Sequence, residues 1–155
     1  MKPRLDYQRV SPKGLQAMLG LQGYVNNSGL EHSLLELVKM RASQINGCAY
    51  CLDMHSKDAR AAGETEQRLY LLDAWRESPM YSARERAALE WTEALTLITE
   101  GHVSDEVYNI VREHFSEEEL VNLSLAIVAI NGWNRLCISF RVLPGTYKAK
   151  QAQAA

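Results

Sequence analysis

The most constraining stretch of this chain runs from Ser116 to Arg141. Ser116 with Glu119 three residues on forms a capping box, the pattern in which an N-cap hydroxyl and a reciprocal carboxylate satisfy the first free N–H groups of a helix. The helix it opens carries Leu120, Val121, Leu123, Leu125, Ile127, Val128 and Ile130. These apolar positions run nearly all the way round, so the helix must be buried on most faces. In a chain of 155 residues it is then either the central helix or one that lies at a subunit interface. Its longest strictly apolar run, Leu125 to Ile130, is too short to span a bilayer.

The rest of the chain reads the same way. The prolines at 3, 12, 79 and 144 sit where elements begin or end, and strict alternation is absent. Helices are expected from Pro12 to about Val25, from about Glu31 to Ile45, and from Cys48 to about Ala62. Others run from Thr65 to Trp75, from Ser82 to about Thr99 under a second capping box with Glu85, and from Ser104 to His114. Inward stripes are Leu34, Leu35, Val38 and Ala42 on the second helix, and Ala88, Leu89, Thr92 and Leu95 on the Ser82 helix. Asn46-Gly47 suits a left-handed helix stop, and Pro144-Gly145 ends the last helix before a tail frayed from about residue 146. The fold class is all-α, in one domain covering residues 1–155.

Composition narrows the function. Lys plus Arg is 17 against 19 Asp plus Glu, a net charge of −2, so there is no basic footprint for nucleic acid. No signal-peptide pattern opens the chain, and three cysteines in a chain of this length do not make a disulfide scaffold. The expected compartment is the cytoplasm, without membrane attachment. No GxGxxG or P-loop pattern points to an organic cofactor.

Chemistry concentrates in Cys48-Ala49-Tyr50-Cys51-Leu52-Asp53-Met54-His55. With Gly47 ending one helix and Cys48 opening the next, Cys48, Cys51 and His55 share one face. A helix N-terminus favours a thiolate at both cysteines. At 1.5 Å rise per residue, His55 lies about 6 Å along the axis from Cys51 and about 10 Å from Cys48. His55 can reach Cys51 directly or through one water. The dipole favours Cys48 as the acidic thiol and the base favours Cys51, and both assignments stand at this level. Two cysteines so spaced can close into a disulfide, one attacking a peroxide or disulfide and the other resolving the product. Glu36, on the preceding apolar helix, either reaches solvent or is buried with a partner; facing His55 it would orient the ring or pass a proton. Zinc is the rival reading of Cys48, Cys51 and His55, but no second CxxC or HxxxH supplies a fourth ligand, so no metal is expected. Cys137 reads as a small buried hydrophobe, and Trp75, Trp91 and Trp133 as core or interface aromatics. His32, His102 and His114 read as solvated or capping.

The pattern Glu36-x11-Cys48-x2-Cys51-x3-His55 resembles the core motif of the alkylhydroperoxidase D (carboxymuconolactone decarboxylase-like) family. The likeness runs from roughly Leu34 to Leu97, through Arg41 to Gly47 and Ala61 to Glu64, and Asn131-x-Trp133-Asn134-Arg135 resembles the C-terminal signature of a short single-domain branch. The resemblance implies an all-helical fold assembling as a trimer or hexamer, and a thiol-dependent peroxidase. It implies Cys51 as the thiol attacked by hydroperoxide, Cys48 as the resolving thiol, and Glu36 with His55 as a proton relay. The reductant it implies is a dithiol, a lipoyl-type carrier in some members. Peroxidase members carry a histidine between the cysteines where this chain has Tyr50. Decarboxylase members proper lack the cysteine pair, so its presence argues against lactone decarboxylation. The alternatives to a peroxidase are a general thiol–disulfide oxidoreductase and a non-catalytic, redox-sensing helical oligomer.

Overall fold

The structure is a computed structural model and describes residues 1–149. The helices in chain order are α1 (Tyr7–Val10), α2 (Pro12–Asn26), α3 (His32–Asn46), α4 (Ala49–Ala61), α5 (Glu66–Leu71), α6 (Ala83–Thr96), α7 (Ile98–Gly101), α8 (Asp105–Arg112) and α9 (Glu117–Phe140). A single 3-10 turn, Leu72–Ala74, follows α5, and the described residues contain no strand. The fold is all-α.

The central helix is α3, which packs on α4, α6 and α9. Leu34, Leu35, Val38 and Ala42 are all buried, as their spacing predicts. On one side Leu34, Leu35 and Val38 meet Val25 of α2, Ala88 and Trp91 of α6, and Leu123 and Ile127 of α9. On the other side Leu37 and Met40 meet Ala59 of α4, Leu69, Leu72, Trp75, Tyr81 and Leu89. Each fully buried aliphatic side chain contributes about 1.5–3 kcal/mol of transfer free energy, so these two clusters dominate the fold's stability.

Three expectations change. The Ser82 helix stops at Thr96, because Leu97 leaves helical geometry (φ −99°, ψ 31°) before the short α7. The Thr65 helix is shorter too, its last turn tightening to 3-10 at Leu72–Ala74. The α9 helix is buried through Leu120, Leu123, Ile127 and Ile130, but Val121 and Val128 are 60% and 55% exposed, so its outer face is uncovered within one chain.

α9 is long and apolar enough by composition to cross a membrane. Its contacts are nonetheless those of a core helix, with Asn122 and Asn134 buried and hydrogen-bonded. It ends at Arg141 in the left-handed region (φ 56°), three residues before Pro144. The chain then folds back along α4. The Gly145 N–H donates to Asp53 Oδ2 (2.9 Å), Lys57 Nζ donates to the Tyr147 carbonyl (3.0 Å), and the Tyr147 hydroxyl donates to Asp58 (2.8 Å). The tail expected to be frayed from about residue 146 is therefore pinned at Tyr147; the rest of it, 150–155, lies outside the described residues.

Candidate active site

Local folding of the site begins at Gly47. Its φ of 66° is left-handed, which glycine adopts without the Cβ penalty of other residues. The turn lets the Cys48 N–H close on the Ser43 carbonyl (3.0 Å) and the Gly47 N–H on Gln44 (3.1 Å). Cys48 is left as the N-cap of α4, one position before the first turn in which the sequence places it. Three side-chain hydrogen bonds lock this corner against α9. Asn46 Nδ2 donates to Asn131 Oδ1 and to Asn134 Oδ1 (both 2.9 Å), and Asn134 Nδ2 donates to Ser43 Oγ (3.0 Å). The residues of the C-terminal signature thus hold the two ends of the α3–α4 turn.

Cys48 and Cys51 are each 1% exposed and Cys137 is 5% exposed. All three are free thiols, and their sulfurs lie within 4.8 Å of one another. Cys137 is buried as the sequence reads it, and the structure adds that it packs against the CxxC pair. The sequence offers no pairing signal across the 86 residues from Cys51 (137 − 51 = 86) beyond an odd third cysteine.

The thiols do not ionise alike. Cys48 is held well below the ordinary thiol range by the thiols of Cys137 and Cys51, then by the Cys51 N–H and the Asn134 amide, against the opposing effect of burial. Cys51 is pushed up by Cys137 and Cys48 and by burial. Cys137 is also pushed up, chiefly by Cys48. Of the three, Cys48 is the thiol at which the thiolate is favoured, and the neighbouring thiols of Cys137 and Cys51, rather than the helix dipole, are the first cause.

Beside the thiols a second cluster is buried. Glu36, Lys39 and His55 are 3%, 6% and 7% exposed. Glu36 Oε1 accepts from Lys39 Nζ at 2.8 Å, and Glu36 Oε2 lies 3.0 Å from His55 Nδ1. Burial opposes the Glu36 charge, but the His55 hydrogen bond and charge, then those of Lys39, outweigh it and hold the carboxyl at about 2. An ionised carboxylate only accepts, so His55 Nδ1 carries the proton and Nε2 is the ring's free position. Of the two fates the sequence leaves Glu36, the structure shows burial with partners. Lys39 went unread, although its place three residues on from Glu36 puts both on one helical face.

These groups meet at a cavity of about 550 Å3. Cys51, His55, Asp58 and Tyr50 line it from α4, and Glu36 and Lys39 from α3. Leu19 and Gln22 come from α2, Trp133 and Cys137 from α9, and Tyr7 and Tyr147 from the two ends of the chain. Cys48 is not on its wall. Trp133 Nε1 donates to Gln22 Oε1 (3.1 Å), which fixes the indole at the cavity rather than in the core. His32, at the start of α3, is exposed at the same cavity. Burial and the Asp58 carboxylate push the Tyr147 hydroxyl up to about 12, so it stays a donor.

Two groups have the donor types for a metal. The three thiols would give a soft ion such as zinc three sulfur ligands. Glu36, His55 and Asp58 also converge within 4.8 Å, but both Glu36 oxygens are already engaged.

Comparison with known proteins fits this geometry. The carboxymuconolactone decarboxylase family model matches residues 12–94. The uncharacterised protein YdfG of Bacillus subtilis is 48% identical over 139 residues, covering 90% of this chain and 95% of that one. A crystal structure from Agrobacterium tumefaciens, of a protein of unknown function offered as a candidate antioxidant defence protein AhpD, is 46% identical with a TM-score of 0.91. It covers 94% of this chain and 100% of that one. The alkyl hydroperoxide reductase AhpD of Bradyrhizobium diazoefficiens is 38% identical over 64 residues, 41% of this chain and 32% of that protein. The chain belongs to the carboxymuconolactone decarboxylase family, on its alkylhydroperoxidase D-like side.

Proposed function

We propose that the protein is a thiol-dependent peroxidase that reduces organic hydroperoxides at the expense of a dithiol. The observation that carries this reading is the shared cavity wall. One cysteine of a CxxC pair opens onto the space that also holds a histidine anchored by a buried, ionised carboxylate. The AhpD name of one relative, and its use as a candidate description for another, support it.

In this reading Cys51 is the nucleophile, because Cys51 lines the cavity and Cys48 does not. The resting charge on Cys48 must therefore move. Cys51 passes its proton either to the Cys48 thiolate it touches or to His55 one turn along, whose Cβ lies about 6 Å away in helical geometry. The Cys51 thiolate attacks the distal peroxide oxygen, the O–O bond breaks, and the alkoxide leaves as alcohol with a proton that His55 passes on from Cys51 or from water. Cys48 then attacks the Cys51 sulfenic acid, the S–O bond breaks, and hydroxide leaves as water with the proton Cys48 took from Cys51, or with one from water where Cys48 is still the thiolate. An external dithiol reduces the disulfide and closes the cycle. The net change is hydroperoxide plus dithiol to alcohol, water and disulfide.

A cavity of about 550 Å3 falls within the range of small-molecule sites and exceeds what hydrogen peroxide needs, which favours an organic hydroperoxide. The reductant in this reading is a dithiol of the lipoyl type, as the family resemblance implies. Such thiols stay reduced in the cytoplasm, the compartment the reading requires.

The test is steady-state consumption of an organic hydroperoxide with dihydrolipoamide as reductant. Cys51→Ser is expected to abolish turnover, and Glu36→Gln to lower it by about 100-fold. Equal turnover in wild type and Cys51→Ser would contradict the reading. Stoichiometric zinc in the purified protein, with no turnover, would favour a metal site on the three thiols instead.

A further inference from the structure

The peroxidase cycle above uses two of the three clustered thiols and leaves Cys137 idle. Its position argues against idleness. Cys137 and Cys51 are the two cysteines on the cavity wall, they belong to different helices, and their sulfurs lie within 4.8 Å of each other. Cys48, the partner supplied by the CxxC spacing, is off that wall. Helix α9 is fastened to the α3–α4 turn through Asn131 and Asn134, so the distance between Cys137 and Cys51 is held by the same hydrogen bonds that fix Cys48.

We infer that Cys137 is a second resolving thiol, so that the sulfenic acid formed on Cys51 closes onto Cys137 as well as onto Cys48. The inference rests on the peroxidase reading of the same site. The step balances as the first does. The Cys137 sulfur attacks Cys51 Sγ, an S–S bond forms, the S–O bond breaks, and the departing hydroxide takes the Cys137 proton to leave as water. The two electrons that reduced the peroxide have come from the Cys51 and Cys137 sulfurs. An S–S bond of about 2.05 Å requires the two sulfurs to draw together, a movement within reach of side-chain rotation.

The consequence concerns reduction. A Cys48–Cys51 disulfide offers an incoming dithiol one sulfur at the cavity, whereas a Cys51–Cys137 disulfide offers both. The third cysteine thus gives the oxidised enzyme a disulfide that a reductant in the cavity can attack from either end.

The experiment is a single oxidation with one equivalent of cumene hydroperoxide, with and without dimedone, followed by trypsin digestion under non-reducing conditions. Cys51 lies in the peptide Ala42–Lys57 and Cys137 in Leu136–Arg141, so the new bond joins two separable peptides. In Cys48→Ser the linked pair is expected, and it is lost in Cys48→Ser/Cys137→Ser, where dimedone captures Cys51 instead. Equal dimedone capture in both variants, with no linked pair in either, would overturn the inference while leaving the peroxidase reading intact. No oxidation of Cys51 in wild type would overturn that reading and this one together. Wild type supplies a readout free of any folding defect: substoichiometric peroxide is expected to yield the linked peptides there too, and their complete absence counts against Cys137.

Discussion

The charge on Glu36 is the residue-scale fact from which most else at the site follows. Its carboxyl stands at about 2 against an ordinary value of 4.5, so its contribution to stability is present above about pH 4.5 and is lost as pH falls toward 2. Acid-induced melting of wild type should therefore steepen in that window, and Glu36→Gln should lack that component. An unaltered acid profile in the variant would remove Glu36 from the account. Cys48 makes a separate prediction. Absorbance near 240 nm should report a thiolate at neutral pH, and Cys48→Ser should lose it. Persistence of the signal would move the resting charge to another sulfur. Glu36, Cys48, Cys51 and His55 were legible because helical spacing turns sequence separation into a shared face. Cys137 and Tyr147 were not, since their place at the cavity depends on how α9 and the C-terminal segment return to α4, which no local spacing encodes.

At the scale of elements, the corner between α3 and α4 is where fold and site are one object. Gly47→Ala forces a side chain into left-handed geometry, which costs roughly 1 kcal/mol. A melting point lower by a few degrees, together with slower peroxide turnover, is the expected outcome, because the same turn seats Cys48. A stability loss with unchanged turnover would separate the turn from the site. Capping boxes read correctly at Ser82 and Ser116, where both reciprocal bonds form. The ends of helices read less well. Leu97 and Leu72 end or tighten helices at positions with no glycine or proline, where tertiary packing rather than local preference sets the boundary, whereas α9 ends at Arg141 as the sequence reads.

The whole molecule presents one unfinished surface. The sequence asks for α9 to be covered on most faces, and a single chain leaves Val121 and Val128 in water while Leu123 and Ile127 fill the core. Self-association through this face would complete the burial, in keeping with the trimer or hexamer the family resemblance implies. Sedimentation of wild type is expected to show an oligomer, and Val128→Asp to shift it toward monomer. A monomeric wild type would assign the exposed valines no such role.

The central claim is that Cys51 is the sulfur that meets peroxide. Thiols counted in denaturant after one equivalent of organic hydroperoxide test it most directly. Wild type starts with three free thiols and should end with one, as 3 − 2 = 1. Cys51→Ser starts with two and should keep both, as Cys48 is off the cavity wall and Cys137 lacks the charge to attack. Loss of thiols in Cys51→Ser at the wild-type rate, or three intact thiols in oxidised wild type, would contradict the account.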